Sequence, residues 1–293
     1  MTARTGLAAA IRRHIRHDGE NPTAVPGLVL YTRQQAMSRM PGIYRPSICF
    51  VAQGSKRMYY GEYCRHYDPD NYLISSLMLP AEAEILDVSA DRPFMALILD
   101  IDRPLVSRLM IEMDAQLPGA PAPGITDICV STPITERLRD GVARLLDLLD
   151  DPLDCAILSP GVLCEIYYEV LRGPHGNLLR NCVRNAPRAN RIAPIVHYIE
   201  ENYHRPLDID SIARVAGMSP SSLHQYFKQA TSMSPMQFVK SLRLHQARML
   251  LLSGNTANSA SYQVGYNSPS QFSREFKRFF GDRPSQVRAT SAG

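Results

Sequence analysis

The sequence predicts an α+β chain, with a small antiparallel barrel or sandwich first and a wholly helical region after it. Three observations carry that reading. Residues 28–115 alternate short apolar runs with turn residues, as closely spaced strands do. Beyond about residue 190 the apolar residues recur with helical period. Charge divides at the same place: residues 191–293 hold 12 Lys and Arg against 6 Asp and Glu, leaving 20 against 22 in the remainder. A basic module joined to a slightly acidic one suits a nucleic-acid reader attached to a second function.

Taken in order, the elements begin with an arm. Leu7, Ala8, Ile11 and Ile15 are spaced as a short amphipathic helix, and the apolar stretch is too brief for a secretion signal. Strands are expected at Leu28–Thr32, Ile48–Ala52, Arg57–Tyr60, Tyr72–Ser75, Glu84–Val88 and Met95–Leu99. Turns between them come from Pro41-Gly42, Gln53-Gly54-Ser55, Asp68-Pro69-Asp70-Asn71 and Asp91-Arg92-Pro93. Asp102-Arg103-Pro104 opens a helix with Leu105, Leu109 and Met113 at helical spacing. Leu117–Gly124, rich in Pro, Gly and Ala, reads as a loop.

Two helices are then expected, Pro133–Asp150 and Pro160–Arg172. Leu138, Val142, Leu145, Leu146 and Leu149 form one apolar stripe; Val162, Leu163, Ile166, Tyr167 and Val170 form another. The stripes fit either a dimer surface or packing on the barrel. Gly173-Pro174-His175-Gly176 ends the second helix, and Asn185–Asn190 reads as a linker. The expected organisation is a helical arm 1–24, a sensing domain 25–130, a helical region 131–184 that could serve dimerisation, and a DNA-binding domain 185–293.

Several function classes lose ground. No run of 18 or more apolar residues occurs, so no membrane span is expected and the chain reads as cytoplasmic. Six cysteines, Cys49, Cys64, Cys129, Cys155, Cys164 and Cys182, have no close ligand spacing, and the stretch 61–66 offers one histidine. No metal or other cofactor is expected. The main alternative is an enzyme, a DNA-repair alkyl transferase with an attached helix-turn-helix. That chemistry needs an activated cysteine, and neither such a cluster, a nucleophile elbow nor a phosphate loop is present. Cys49, in an apolar strand, and Cys64, beside Arg65 and His66, are the redox candidates.

The informative text lies in two C-terminal segments built on one plan, Ile209–Ala230 and Ala257–Phe280. In each a short helix ends at a glycine, Gly217 or Gly265, and a serine, Ser219 or Ser268, stands before the next helix. The glycine allows the positive φ of a tight helix exit, and the serine hydroxyl can cap the second helix. This is helix-turn-helix grammar, and two copies 48 residues apart are far more specific than one. Ile212, Ala213, Val215, Leu223, Tyr226 and Phe227 are expected to close the first core; Tyr262, Val264, Tyr266, Phe272 and Phe276 the second. After Ser234-Pro235 a helical run of about 17 residues, about 26 Å long, could hold two recognition helices roughly one DNA turn apart.

These segments resemble the AraC/XylS family of transcription regulators. The matching text is SIARVAGMSPSSLHQYFKQATSMSPMQFVKSLRLHQARMLL and, further on, VGYNSPSQFSREFKRFFGDRPSQVR, within Ala193–Arg288. The stretch Tyr44–Asp102 is similar to the AraC-type N-terminal domain. The resemblance implies a cupin-like effector β-barrel with accessory helices, then an all-α double helix-turn-helix domain. It also implies activation in response to a small-molecule or redox signal, with RNA polymerase as a partner. Ser232 stands where the family usually has glycine, and Ala260 and Ser261 replace a larger aliphatic residue and an alanine.

Exposed positions in the first two turns of a recognition helix reach base edges. Matched to the family motif, these are Ser221, His224, Gln225, Ser270, Gln271 and Arg274. Lys228, Lys240, Arg243, Lys277 and Arg278 are expected at phosphates, while Arg248 stays open between phosphate and structural roles. In the sensing region Tyr44, Arg57, Tyr59 and Cys64 are the candidate effector-pocket residues.

Overall fold

The computed structural model describes residues 3–60, 63–116, 128–183, 192–231 and 233–287. The expected loop Leu117–Gly124, the linker Asn185–Asn190 and Ser232 lie outside the described residues. The chain runs α1 (Ala3–His14), β1 (Gly19–Pro22), β2 (Leu28–Arg33), β3 (Met37–Tyr44), β4 (Ser47–Gln53), β5 (Ser55–Tyr60) and β6 (Tyr63–Tyr67). It continues through β7 (Asn71–Ser75), β8 (Leu79–Leu86), β9 (Phe94–Asp100), α2 (Arg103–Gln116), β10 (Cys129–Pro133), α3 (Glu136–Asp147), α4 (Pro152–Arg172) and α5 (Gly176–Val183).

The strands make two antiparallel sheets facing each other. One is ordered β1-β2-β9-β4-β7-β10, the other β3-β8-β5-β6. Strand alternation assigns each residue of the larger sheet to one of two cores. On β4, Ile48 and Phe50 turn to the helical layer and join Ile11, Val106, Val142, Ile166 and Tyr167. Cys49 and Val51 turn the other way, between the sheets, with Met58, Tyr67, Leu79 and Ile85. The α+β class and the two-sheet N-terminal part are as the sequence predicts.

Four strands escape the apolar pattern: β1, β3, β6 and β10. The expected Pro41-Gly42 turn lies inside β3, which among the described residues pairs with β8 alone at the sheet edge and carries a bulge between Met37 and Met40. An edge strand tolerates proline because the missing N–H need not face a neighbour. Two helix starts also move. Pro133 closes β10, and α3 begins after Thr135, whose Oγ1 accepts from Leu138 N. α4 begins eight residues before the expected Pro160, capped by Asp151, whose Oδ1 accepts from Leu153 N at 2.7 Å and Asp154 N at 3.0 Å. A strong cap at the start carries the helix through an interior proline.

The stripes on α3 and α4 are inward. Leu138, Val142, Leu145, Ile166 and Val170 are buried in the helical core, so these residues pack on the barrel. Near its start α4 leaves Leu153, Ile157 and Leu158 outside, at 71%, 68% and 48% exposure.

The C-terminal part is all helical: α6 (Ile192–Asn202), α7 (Ile209–Ala216), α8 (Pro220–Thr231), α9 (Pro235–Leu252), α10 (Ala257–Gln263) and α11 (Pro269–Phe280). α9 belongs to two cores at once. Phe238, Val239 and Leu242 close over Ile195, Ile212, Leu223 and Phe227. Leu244, Ala247 and Leu251 close over Ala260, Val264, Phe272 and Phe276.

Candidate nucleic-acid interface

Each unit is built by the same local chemistry. Asp208 and Ser211 form a reciprocal capping box at the start of α7, with Asp208 Oδ1 accepting from Ser211 N at 2.7 Å. α7 stops at Gly217, whose φ of 62° is left-handed. Ser219 Oγ then accepts from Ser222 N at 3.2 Å and opens α8. In the second unit Thr256 caps α10, Gly265 turns the chain at φ 89°, and Ser268 Oγ accepts from Gln271 N at 3.3 Å to open α11. Gly265 is doubly constrained, because a Cβ there would stand 2.8 Å from the His204 carbonyl oxygen.

The reading candidates share one property. Ser221, His224 and Gln225 on α8 and Ser270, Gln271 and Arg274 on α11 are all exposed. The residues between them, Leu223, Phe227, Phe272 and Phe276, are fully buried and fix each helix face. Two members of the expected cores are instead outside: Val215 is 48% and Tyr262 56% exposed. Helical spacing alone cannot separate the rim of so short a helix from its centre. Ala260 and Ser261 are both completely buried, and the Ser261 hydroxyl donates to Asn258 O at 2.7 Å.

The phosphate candidates separate into two groups. Lys228, Lys277 and Arg278 are exposed. Arg243 departs from its expected place: its guanidinium donates to the Tyr203 and Arg205 carbonyls, both at 2.7 Å, tying α9 to the segment after α6. Lys240 pairs with Glu275 at 3.0 Å. Glu275 also accepts from the Tyr266 hydroxyl at 3.0 Å and from Gln271 Nε2 at 3.3 Å. This carboxylate therefore joins α9, the turn and the exposed face of α11, and its three partners hold it below the usual carboxylate range against the opposing pull of burial. Sequence reasoning misses it. The available signal is its position four residues after Gln271 as the one acid of α11. Arg248 sits with its guanidinium 5.0 Å from the Phe280 ring centroid.

The four effector-pocket candidates are not brought together. On β5 and β6, Tyr59 pairs with Cys64, and Arg57 with His66, all on the outer face of the smaller sheet. Tyr44 pairs with Leu79 on the inner face, between the sheets. The split arises from the strand's two-residue period, which a list of nearby tyrosines ignores. On the outer face the Tyr59 hydroxyl and Arg57 hold the Glu84 carboxyl below its usual range.

That same outer face meets the helical part. Arg39, Tyr59 and Glu82 from the sheet enclose a cavity of about 160 Å³ with Ser241, His245 and Phe279 from α9 and α11. Ser241 Oγ and His245 Nε2 are buried there without a hydrogen-bond partner. The cysteines lie elsewhere. Cys49, Cys129 and Cys155 are buried. Burial pushes the Cys49 thiol up to about 11 and the Cys182 thiol up to about 12. Cys64 is exposed. No helix among the described residues is long and apolar enough to cross a membrane.

Comparison with known proteins agrees with this geometry. The family described as AraC-type transcriptional regulator N-terminus matches residues 24–178, and a helix-turn-helix domain family matches residues 212–290. The raffinose operon transcriptional regulatory protein RafR of Pediococcus pentosaceus is 29% identical over 133 residues, covering 45% of this chain and 47% of RafR. The HTH-type transcriptional activator RhaS of Citrobacter koseri is 26% identical over 154 residues, covering 52% and 54%. The chain thus spans about half the length of these curated relatives. Fatty-acid-bound wild-type ToxT from Vibrio cholerae superposes with a TM-score of 0.63 at 13% identity, covering 93% of this chain and 96% of that one, a likeness of fold.

Proposed function

The chain belongs to the AraC/XylS family of transcription regulators, and from that premise we propose that it binds operator DNA sequence-specifically under the control of a small molecule held by its N-terminal part. The observation that carries this reading is the pair of capped helix-turn-helix units sharing α9, each presenting its three candidate reading side chains exposed on its second helix. α9 has 18 residues and is about 27 Å long, of the order of one DNA turn, which suits recognition helices entering successive major grooves. Ser221, His224 and Gln225 then read one major-groove segment; Ser270, Gln271 and Arg274 read the next. Bidentate geometry matches Arg274 to guanine and Gln225 to adenine.

Lys228, Lys277 and Arg278 supply phosphate contacts and salt-dependent affinity. Lys240 and Arg243, already bonded within the protein, hold the two units in register. Activation with RNA polymerase as partner is supported by the description of RhaS as an activator. A homodimer through Leu153, Ile157 and Leu158 is supported by their exposure on one helix.

Selection from random duplex DNA by the full chain tests the central reading. Two conserved half-sites about 10 base pairs apart are expected. Absence of enrichment, or a single half-site protected in footprinting, would overturn it. Light scattering tests the dimer, with Ile157→Asp expected to leave a monomer.

A further inference from the structure

α11 carries one acid, and that acid is held from outside the helix. Glu275 stands four residues after Gln271, one turn further along the same face. Its two oxygens have separate partners. Oε2 accepts from Lys240 Nζ on α9 and from the Tyr266 hydroxyl in the turn, each at 3.0 Å. Oε1 accepts from Gln271 Nε2 at 3.3 Å. Tyr266 is itself buried, its ring edge-on to Phe272 at 5.3 Å. An ordinary pair on an exposed helix face leaves both side chains free to turn. Here the acceptor is tied to two other elements, and its side chain is only 19% exposed. Burial opposes its ionisation, but the three donors outweigh burial and keep the carboxylate charged.

An ionised carboxylate only accepts, so the Gln271 amide must offer it nitrogen. That choice decides what the amide shows to a groove. One N–H is committed to Glu275; one N–H and the carbonyl oxygen remain. An unheld amide has two N–H donors and can address both acceptors of guanine, O6 and N7, from one nitrogen. One donor beside one acceptor is instead the complement of adenine, which offers N7 and the N6 amine. The negative charge close behind the amide also repels the two acceptors of guanine. Specificity is a difference of affinities, so rejecting guanine counts as much as fitting adenine. Gln225, the other amide among the candidate readers, has no acid on its own helix and gives an internal comparison.

We propose that Glu275 is a positioning residue for base recognition, which acts through Gln271 to make the second helix-turn-helix unit take adenine and refuse guanine. This rests on the reading of α11 as a recognition helix and names a specificity determinant within it. Glu275 itself touches no base. In Glu275→Gln the new amide carbonyl suits Lys240 and Tyr266, which leaves its NH2 facing Gln271. Gln271 must then turn its oxygen inward and show two N–H donors, the set that guanine accepts.

Duplexes recovered by the full chain from random DNA test this, each varied to all four bases at the pair whose preference disappears in Gln271→Ala. The parent is expected to favour adenine over guanine there by about 10-fold or more, within the range that one good bidentate pair supplies. Glu275→Gln is expected to cut that ratio at least about 5-fold, toward guanine, while preference at the pair read by Gln225 holds. In a Gln271→Ala background the same substitution is expected to change nothing at that pair. An unmoved adenine-to-guanine ratio overturns the proposal. So does an equal loss of preference at every pair, which is what a merely structural Glu275 gives. An effect that survives in the Gln271→Ala background also overturns it, because Glu275 is then itself the base contact. Should Glu275→Gln not fold, Glu275→Asp keeps the charge but draws it one methylene away from Gln271; the same relaxation is expected, and an unmoved ratio again overturns the proposal. A chain that selects an operator with no pair dependent on Gln271 loses this proposal alone; one that selects no DNA loses operator binding as well.

Discussion

Arg274 is the side chain with the most to lose on truncation. It is exposed on α11, and guanidinium-to-guanine pairing contributes about 1–3 kcal/mol of discrimination. Arg274→Ala should therefore weaken operator binding about 5- to 150-fold while barely changing binding to random DNA; a competition gel shift measures both. His245 makes a different kind of prediction. Burial, helped by the nearby positive charge of Arg248, pushes its imidazole down to about 3, and its ring meets Phe279 and Phe280 edge-on. The folded chain keeps it neutral, whereas an unfolded chain protonates it below about pH 6.5. Above that pH the residue adds no pH dependence. Below it, stability falls by up to ~1.4 kcal/mol per pH unit until the folded value is reached. Thermal melts at about pH 7 and pH 5 should differ less for His245→Phe than for the parent chain.

Elements explain what can be read in the sequence and what cannot. The two helix-turn-helix units are legible because capping serines, positive-φ glycines and apolar spacing all act within a dozen residues. Gly217 and Gly265 look alike in sequence, yet only Gly265 has backbone pressed against it. Gly265→Ala is expected to cost at least ~2 kcal/mol more than Gly217→Ala, which meets only the ~1 kcal/mol backbone penalty; urea midpoints decide it. Strands β3 and β6 are illegible for the opposite reason. Their pairing is set by distant partners, β8 and β5, and β3 breaks local rules with an internal Pro-Gly. α4 makes the same point: Pro160 reads as a start, but the Asp151 cap and burial of Ile166, Tyr167 and Val170 carry the helix across it. Pro160 is exposed, so Pro160→Ala should raise Tm by restoring one backbone hydrogen bond and removing the ring clash, by ~1–3 kcal/mol in stability. The candidate pocket misleads because Tyr44 and Tyr59 group together by chemistry, and only a register shows that they face opposite ways.

At the scale of the whole molecule, the proposed function draws affinity and geometry from different cations. Lys277 is exposed, whereas Lys240 is bonded to Glu275. The logarithmic salt slope of operator binding should become shallower by about 0.9 in Lys277→Gln. Lys240→Gln should leave that slope nearly unchanged and lower affinity evenly at every salt concentration. The smaller sheet has a further consequence. On β5, Lys56, Met58 and Tyr60 face the interior, while Arg57 and Tyr59 face outward, with Tyr59 at the cavity shared with α9 and α11. In the proposed function, a single ribbon one residue thick is both a wall of the sensing domain and the floor on which the DNA-reading part rests. A mutational scan along it should sort by parity, even positions changing what is sensed and odd positions how that is transmitted. Evolution can thus retune chemical taste and mechanical coupling separately, one neighbour apart on the same strand.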